Sequence, residues 1–330
     1  MRGTLWGAAL VLGSLLGSCN NPISGAVNAT ASDTTPFGNG QTVYVAFPDT
    51  DWYHTGVLKY ASNGTGWIQQ LSGRVAVSDI NVDSSGNVAL VEAGTVLYKA
   101  SGSTWTSATL SGASGVSLQG STLLALTGSA VQAYTTSNSP STLTAGSSVP
   151  FTNPTGFSAT GSSTAYVGTS NKVYLYSAGT VLPNSPSASI SGVYASGTNV
   201  YAVSALGLSA SADSGGTWPT NATSSVMGTG TPLCVWSLGT SIYVGGTQGV
   251  SVSTNSGSTW TPGLTIRSGD QTYQANLGLA VTSISAATAG GDTCIYMATS
   301  QGLYVYSYAN QSVTVAFSGS PINKVFVTVP

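Results

Sequence analysis

Apolar and polar residues alternate with a period of two along most of this chain, and clusters of Gly, Ser, Thr and Asn break the alternation at short intervals. Alternation of this kind sets one group of side chains on each face of a strand. It predicts short, half-buried strands joined by tight turns. A strand–turn–strand core recurs as TAYVGTSNKVYLYS (164–177), NVYAVSALGLSAS (199–211), SIYVGGTQGVSVS (241–253) and CIYMATSQGLYVYS (294–307). The aligned tyrosines are Tyr44, Tyr166, Tyr201, Tyr243 and Tyr296, and two weaker copies place Ala89 and Leu124 there, which makes seven units. A further strand precedes six of the cores: VSDINV (77–82), SGVSLQ (114–119), TGFSAT (155–160), ISGVYA (190–195), LCVWSL (233–238) and VTSISA (281–286). The first core begins at once with Gln41-Thr42-Val43-Tyr44, and the strand it lacks lies at the far end of the chain, in Asn323–Val329. The C-terminal strand is therefore expected to complete the first sheet and close a ring.

Two related segments, SADSGGTW (Ser211–Trp218) and STNSGSTW (Ser253–Trp260), follow the third strand of their units. Asp213 can accept bonds from nearby backbone N–H groups, as in an Asx-turn, and Gly215 permits a positive φ. Trp218 is expected to wedge between sheets, with Asn255, Gly257 and Trp260 repeating the arrangement and eroded copies ending at Trp105 and Trp67. Short strands repeating about every forty residues point to an all-β fold, a seven-bladed β-propeller of four-stranded antiparallel blades. The two segments resemble the Asp-box, or BNR, repeat of sialidases and many noncatalytic propellers. The resemblance implies that the box lies on the periphery, away from any ligand face.

Only 5% of the 330 residues are charged and the formal net charge is −2. Phosphate neutralisation needs a dense Lys/Arg footprint, so nucleic acid is excluded as a partner. Arg2 and the apolar run Leu5–Leu16 read as a secretory signal, too short to span a bilayer comfortably. The run ends in Leu16-Gly17-Ser18-Cys19, which resembles the lipobox of bacterial lipoproteins and implies acylation of Cys19; an ordinary signal peptide with a nearby Cys is the alternative. Asn20 in second position favours the outer membrane or cell surface. The expected organisation is a signal at 1–18, a tether at 19–40 rich in Ala, Thr, Ser, Asn and Pro, and the propeller at 41–330. Cys234 and Cys294 remain, as a disulfide permitted by export or as two small buried hydrophobes.

The loops expected on one face carry Asp49, Asp51, Trp52, Tyr53 and His54, then Arg74, Glu92, Arg267, Asp270 and Tyr273. As a ligand site this sector offers carboxylates and aromatic rings; as a solvated rim it offers nothing specific. His54 is the only histidine, so a multi-His metal site is excluded, and no metal or cofactor is expected. Sialidases bind the substrate carboxylate with three arginines, whereas Arg74 and Arg267 alone remain here after Arg2 leaves with the signal. With the envelope anchor that the lipobox resemblance implies, these features point to a noncatalytic binding or scaffolding module for a protein or glycan. Two alternatives stand beside it: a carbohydrate-active enzyme using Asp49, Asp51, Glu92 or Asp270, and a structural surface protein.

Overall fold

The computed structural model describes residues 41–48, 56–60, 67–71 and 76–329. Seven four-stranded antiparallel sheets follow one another, with one extra hairpin between the last two. Blade one joins Thr42–Ala46, Val57–Tyr60 and Trp67–Leu71 to the C-terminal strand Lys324–Thr328, which becomes its innermost strand. The pairing runs from Thr42 opposite Thr328 to Ala46 opposite Lys324, so the two ends of the domain share one sheet. Ring closure by the C-terminal strand is thus as the hydrophobic pattern predicted.

The seven aligned positions of the repeating core are all interior. Tyr44, Ala89, Leu124, Tyr166, Tyr201, Tyr243 and Tyr296 are each buried in the second strand of their blade, packed between that sheet and its neighbours. An aromatic ring removes roughly 150–250 Å² from water, so five such tyrosines form a large share of the adhesion between blades.

An innermost strand has one free edge, facing the axis, whose backbone groups need partners. Short polar side chains supply them across every junction of the ring. Asn323 Nδ2 of blade one donates to Val77 O at 2.9 Å, and in blade two Asp79 Oδ2 and Asn81 Oδ1 accept from Val116 N and Leu118 N at 2.9 and 3.0 Å. Gln119 Nε2 donates to Ala159 O, Thr155 Oγ1 to Ile190 O, Ser191 Oγ to Pro232 O and Cys234 Sγ to Val281 O, carrying the pattern through blades three to seven. Ser283 and Ser285 close the circle by accepting from Val325 N and Val327 N of the C-terminal strand. A chain that fastens its blades with Ser, Thr, Asn and Gln needs few charges, which accounts for its composition.

The two Trp turns also take the form read from the sequence. Ser211 Oγ and Thr217 Oγ1 donate to the Asp213 carboxylate at 2.7 and 2.8 Å, and Thr217 N donates to Oδ1 at 2.8 Å. Ser214 and Gly215 adopt φ of 59° and 87°, and Trp218, 9% exposed, packs against Leu182 and Val200 between blades four and five. Asn255 repeats these bonds, accepting from Thr259 N and donating to Thr259 Oγ1, both at 2.8 Å. Trp105 instead donates its indole N–H to Gln70 O of blade one at 3.0 Å.

Candidate functional site

Each innermost strand begins at one end of the ring, where linkers arrive from the preceding blade, and finishes at the other, where the Asp213 and Asn255 turns lie. Among the described residues, the predicted sector does not assemble at one end. Glu92 ends the second strand of blade two at the linker end, opposite Val77, and burial raises its carboxyl above the usual range. Arg267 and Asp270 lie elsewhere. They occupy the tip of the hairpin Leu264–Ser268 and Gln271–Ala275, which starts at the linker end and runs along the outside of blades six and seven. Arg267 N donates to Gln311 O at 2.8 Å, in the third-to-fourth-strand turn of blade seven, so the tip sits at the turn end. The long link was read from sequence as a face loop, but paired strands carry it down the side. Tyr273 packs half-buried against the apolar cluster between blades six and seven. Asp49, Asp51, Trp52, Tyr53, His54 and Arg74, like Cys19, lie outside the described residues.

Cys234 and Cys294 do not pair with each other. Cys234 Sγ reaches Val281 O at 3.5 Å, while Cys294 Sγ reaches Asp292 Oδ2 at 3.7 Å, so adjoining blades hold them in separate settings. Burial pushes the Cys234 thiol up to about 12, which leaves it protonated and unreactive at neutral pH.

The chemistry that the structure does gather lies on the axis. The innermost strands surround a cavity of about 470 Å³. Equivalent positions, each paired with the residue two beyond the aligned core position, hold Lys324, Asp79, Gly115, Gly156, Gly192, Cys234 and Ser283 in blades one to seven. Lys324 Nζ stands 3.2 Å from Asp79 Oδ1, joining two blades whose inner strands come from opposite ends of the chain. The lysine side chain is 39% exposed and the aspartate 14%, so the cation faces the lumen from the wall while the acid backs it. Three consecutive glycines stand where other blades carry side chains. A Cβ on Gly115 would come within 3.1 Å of the Phe157 ring, and one on Gly192 within 3.0 Å of Leu233 O. Glycine thus lets neighbouring inner strands approach closely there.

Two residues further along the strands, roughly 7 Å deeper at the rise of an extended chain, blades five, six and one place aromatic rings in the wall. Asn81, Ser117, Ser158 and Ser285 hold this level in the others. Tyr194 and Trp236 lie 4.5 Å apart with their rings tilted by 34°, and Phe326 presents an edge-on contact to Trp236 at 6.0 Å. Blade seven places the small Ser285 at this level, so Trp236 of blade six reaches past it to Phe326 of blade one. The Tyr194 hydroxyl donates to Ser237 O at 3.4 Å, and burial raises its pKa to about 12. These residues stood in the strands VSDINV, ISGVYA, LCVWSL and NKVFVTV, and their side of each strand follows from the period of two. Loop charges drew attention away from them.

No family model matches the chain, and no curated protein matches it. Solved structures do. One is the extracellular domain of a candidate one-component system of B. thetaiotaomicron, with a TM-score of 0.54 and 16% identity over 76% of this chain and 35% of that one. Another, from Bacteroides uniformis, is named as a candidate 6-phosphogluconolactonase and gives a TM-score of 0.60 with 9% identity over 88% of this chain and 100% of that one. Saccharomyces cerevisiae Sqt1 gives a TM-score of 0.55 with 13% identity over 77% and 80%. The chain spans about a third of the length of the first of these. Among the described residues no helix is long and apolar enough to cross a membrane. At such identities the likeness is one of architecture, and the chain is a seven-bladed β-propeller.

Proposed function

We propose that this chain is an envelope-anchored lipoprotein whose propeller is a noncatalytic binding module. Cys19 would carry the lipid and residues 19–40 would tether the ring, with the Asp213 and Asn255 turns as Asp-box repeats on the side away from the ligand. The observation that carries the reading is the axial cavity of about 470 Å³ with an ion pair on one wall and three aromatic rings below. That volume lies within the roughly 300–1,000 Å³ of small-molecule sites. The described strand ends at Ala46, Val57, Leu71 and Val77 lie at the linker end, where a larger partner would approach the cavity.

The test is capture from envelope extracts by the detergent-solubilised full chain, in parallel with Lys324→Met and Trp236→Ala. A partner retained by the native chain and weakened by both substitutions supports the reading. Recovery of nothing, together with glycan hydrolysis by the purified chain, would overturn it in favour of an enzyme. The elevated Glu92 carboxyl is the feature that favours that second reading, since a general acid needs a raised pKa. Loss of one catalytic carboxylate abolishes turnover, whereas loss of one binding group gives a graded change in affinity. Lipidation is tested separately, by metabolic labelling with a fatty-acid analogue that Cys19→Ala should abolish.

A further inference from the structure

We infer that the axial cavity takes a neutral carbohydrate of one or two rings. The inference rests on the binding-module reading and names its ligand. Among the described residues lining the cavity the ionised groups are Lys324 and Asp79, and they neutralise each other at 3.2 Å. An anionic ligand would meet a cation already held by a carboxylate. A hydroxyl group can accept from the exposed ammonium, whose charge the buried carboxylate already offsets, without adding net charge. Asp79 Oδ2 is committed to Val116 N, which fixes the acid in the wall and leaves the lysine as the adjustable member.

The aromatic wall supplies the second requirement. Pyranose rings present an apolar C–H face beside an equatorial rim of hydroxyls, and a platform of half-buried rings below a polar pair matches both. Trp236 keeps its indole N–H buried with no hydrogen-bond partner, a cost that an ordinary core Phe at this position would avoid. The ring is held in the lumen wall despite that cost. The volume of about 470 Å³ suits one or two sugar rings and is too small for a folded partner.

The test is calorimetric titration of the detergent-solubilised full chain with xylose, glucose, maltose, cellobiose and lactose, and with glucuronate and galacturonate as charged counterparts. At least one neutral sugar should bind. Trp236→Ala should weaken it by about tenfold or more, as for a residue central to a site. Lys324→Met, at a more exposed position, should weaken it by a smaller factor while leaving the circular dichroism spectrum unchanged. Binding of the uronates alone would overturn the assignment. So would failure of every sugar to bind a chain that still captures an envelope partner, an outcome that leaves the binding module standing. Failure of both would remove the two readings together.

Discussion

Two aspartates separate what is local in this molecule from what is not. Asp213 is exposed, yet its carboxylate is fully occupied by Ser211 and Thr217, all within one turn. Asp79 is 14% exposed, and its partners are Val116 of the next blade and Lys324 near the end of the chain. The first needs only its neighbours in sequence to be in place, whereas the second needs the ring to have closed. The difference teaches where to look in a propeller: a turn carboxylate that satisfies itself is architecture, and an axial carboxylate that depends on closure marks the cavity.

The comparison can be broken most severely by removing closure. Ending the chain at Ser320 deletes the inner strand of blade one and with it Val325 and Val327, whose N–H groups donate to Ser283 Oγ and Ser285 Oγ. Cooperative denaturant unfolding should be lost. A single transition at the native midpoint would show that closure is dispensable. Next in size is Trp218→Ala, where truncating a buried ring should cost about 3–5 kcal/mol by denaturant titration. Trp260→Ala should cost less, because Trp260 is only partly buried.

Asp79→Ala leaves Val116 N without its acceptor and should cost about 1–3 kcal/mol, the range for stranding a buried donor. Asp79→Asn retains an acceptor oxygen and should cost less. An equal loss from both would mean that charge rather than the backbone bond holds the junction. The smallest effect is expected at the exposed turn. Asp213→Asn should lower the unfolding midpoint only slightly at neutral pH, since Asn255 makes the same bonds one blade later.

Acid removes what the ionised carboxylate supplies at neutral pH. The bonds from Thr217 N, Ser211 and Thr217 Oγ1 lower the Asp213 pKa from 3.8 to about 2. A carboxyl depressed in the folded state contributes stability that is present above its unfolded value and lost as the pH falls through the folded one. The native chain's advantage over Asp213→Asn should therefore shrink between about pH 4 and pH 2. Thermal unfolding of both proteins across that window checks it, and a constant difference would show that the carboxylate bonds are not formed in solution.

Most of the architecture was legible because its signals are short in range. Period-two alternation located the strands, five aligned tyrosines with Ala89 and Leu124 gave the seven blades, and the orphan strand at Asn323–Val329 implied closure. The candidate site was not legible in the same way. Glu92 and the pair Arg267 and Asp270 were grouped because their segments both looked like face loops, but strand pairing in 264–275 carries the latter two to the opposite end. Cys234 and Cys294 adjoin in blade order, yet each turns to its own partner.

By itself the sequence determined the strands, the turns and the ring, since each follows from the conformation and burial of residues close together in the chain. Only the tertiary structure decided that Lys324 meets Asp79 and that Trp236 reaches past blade seven to Phe326. The reason is geometric. Which side chains share the axis depends on the stagger of seven inner strands around it, and that stagger is fixed by bonds between blades rather than within them.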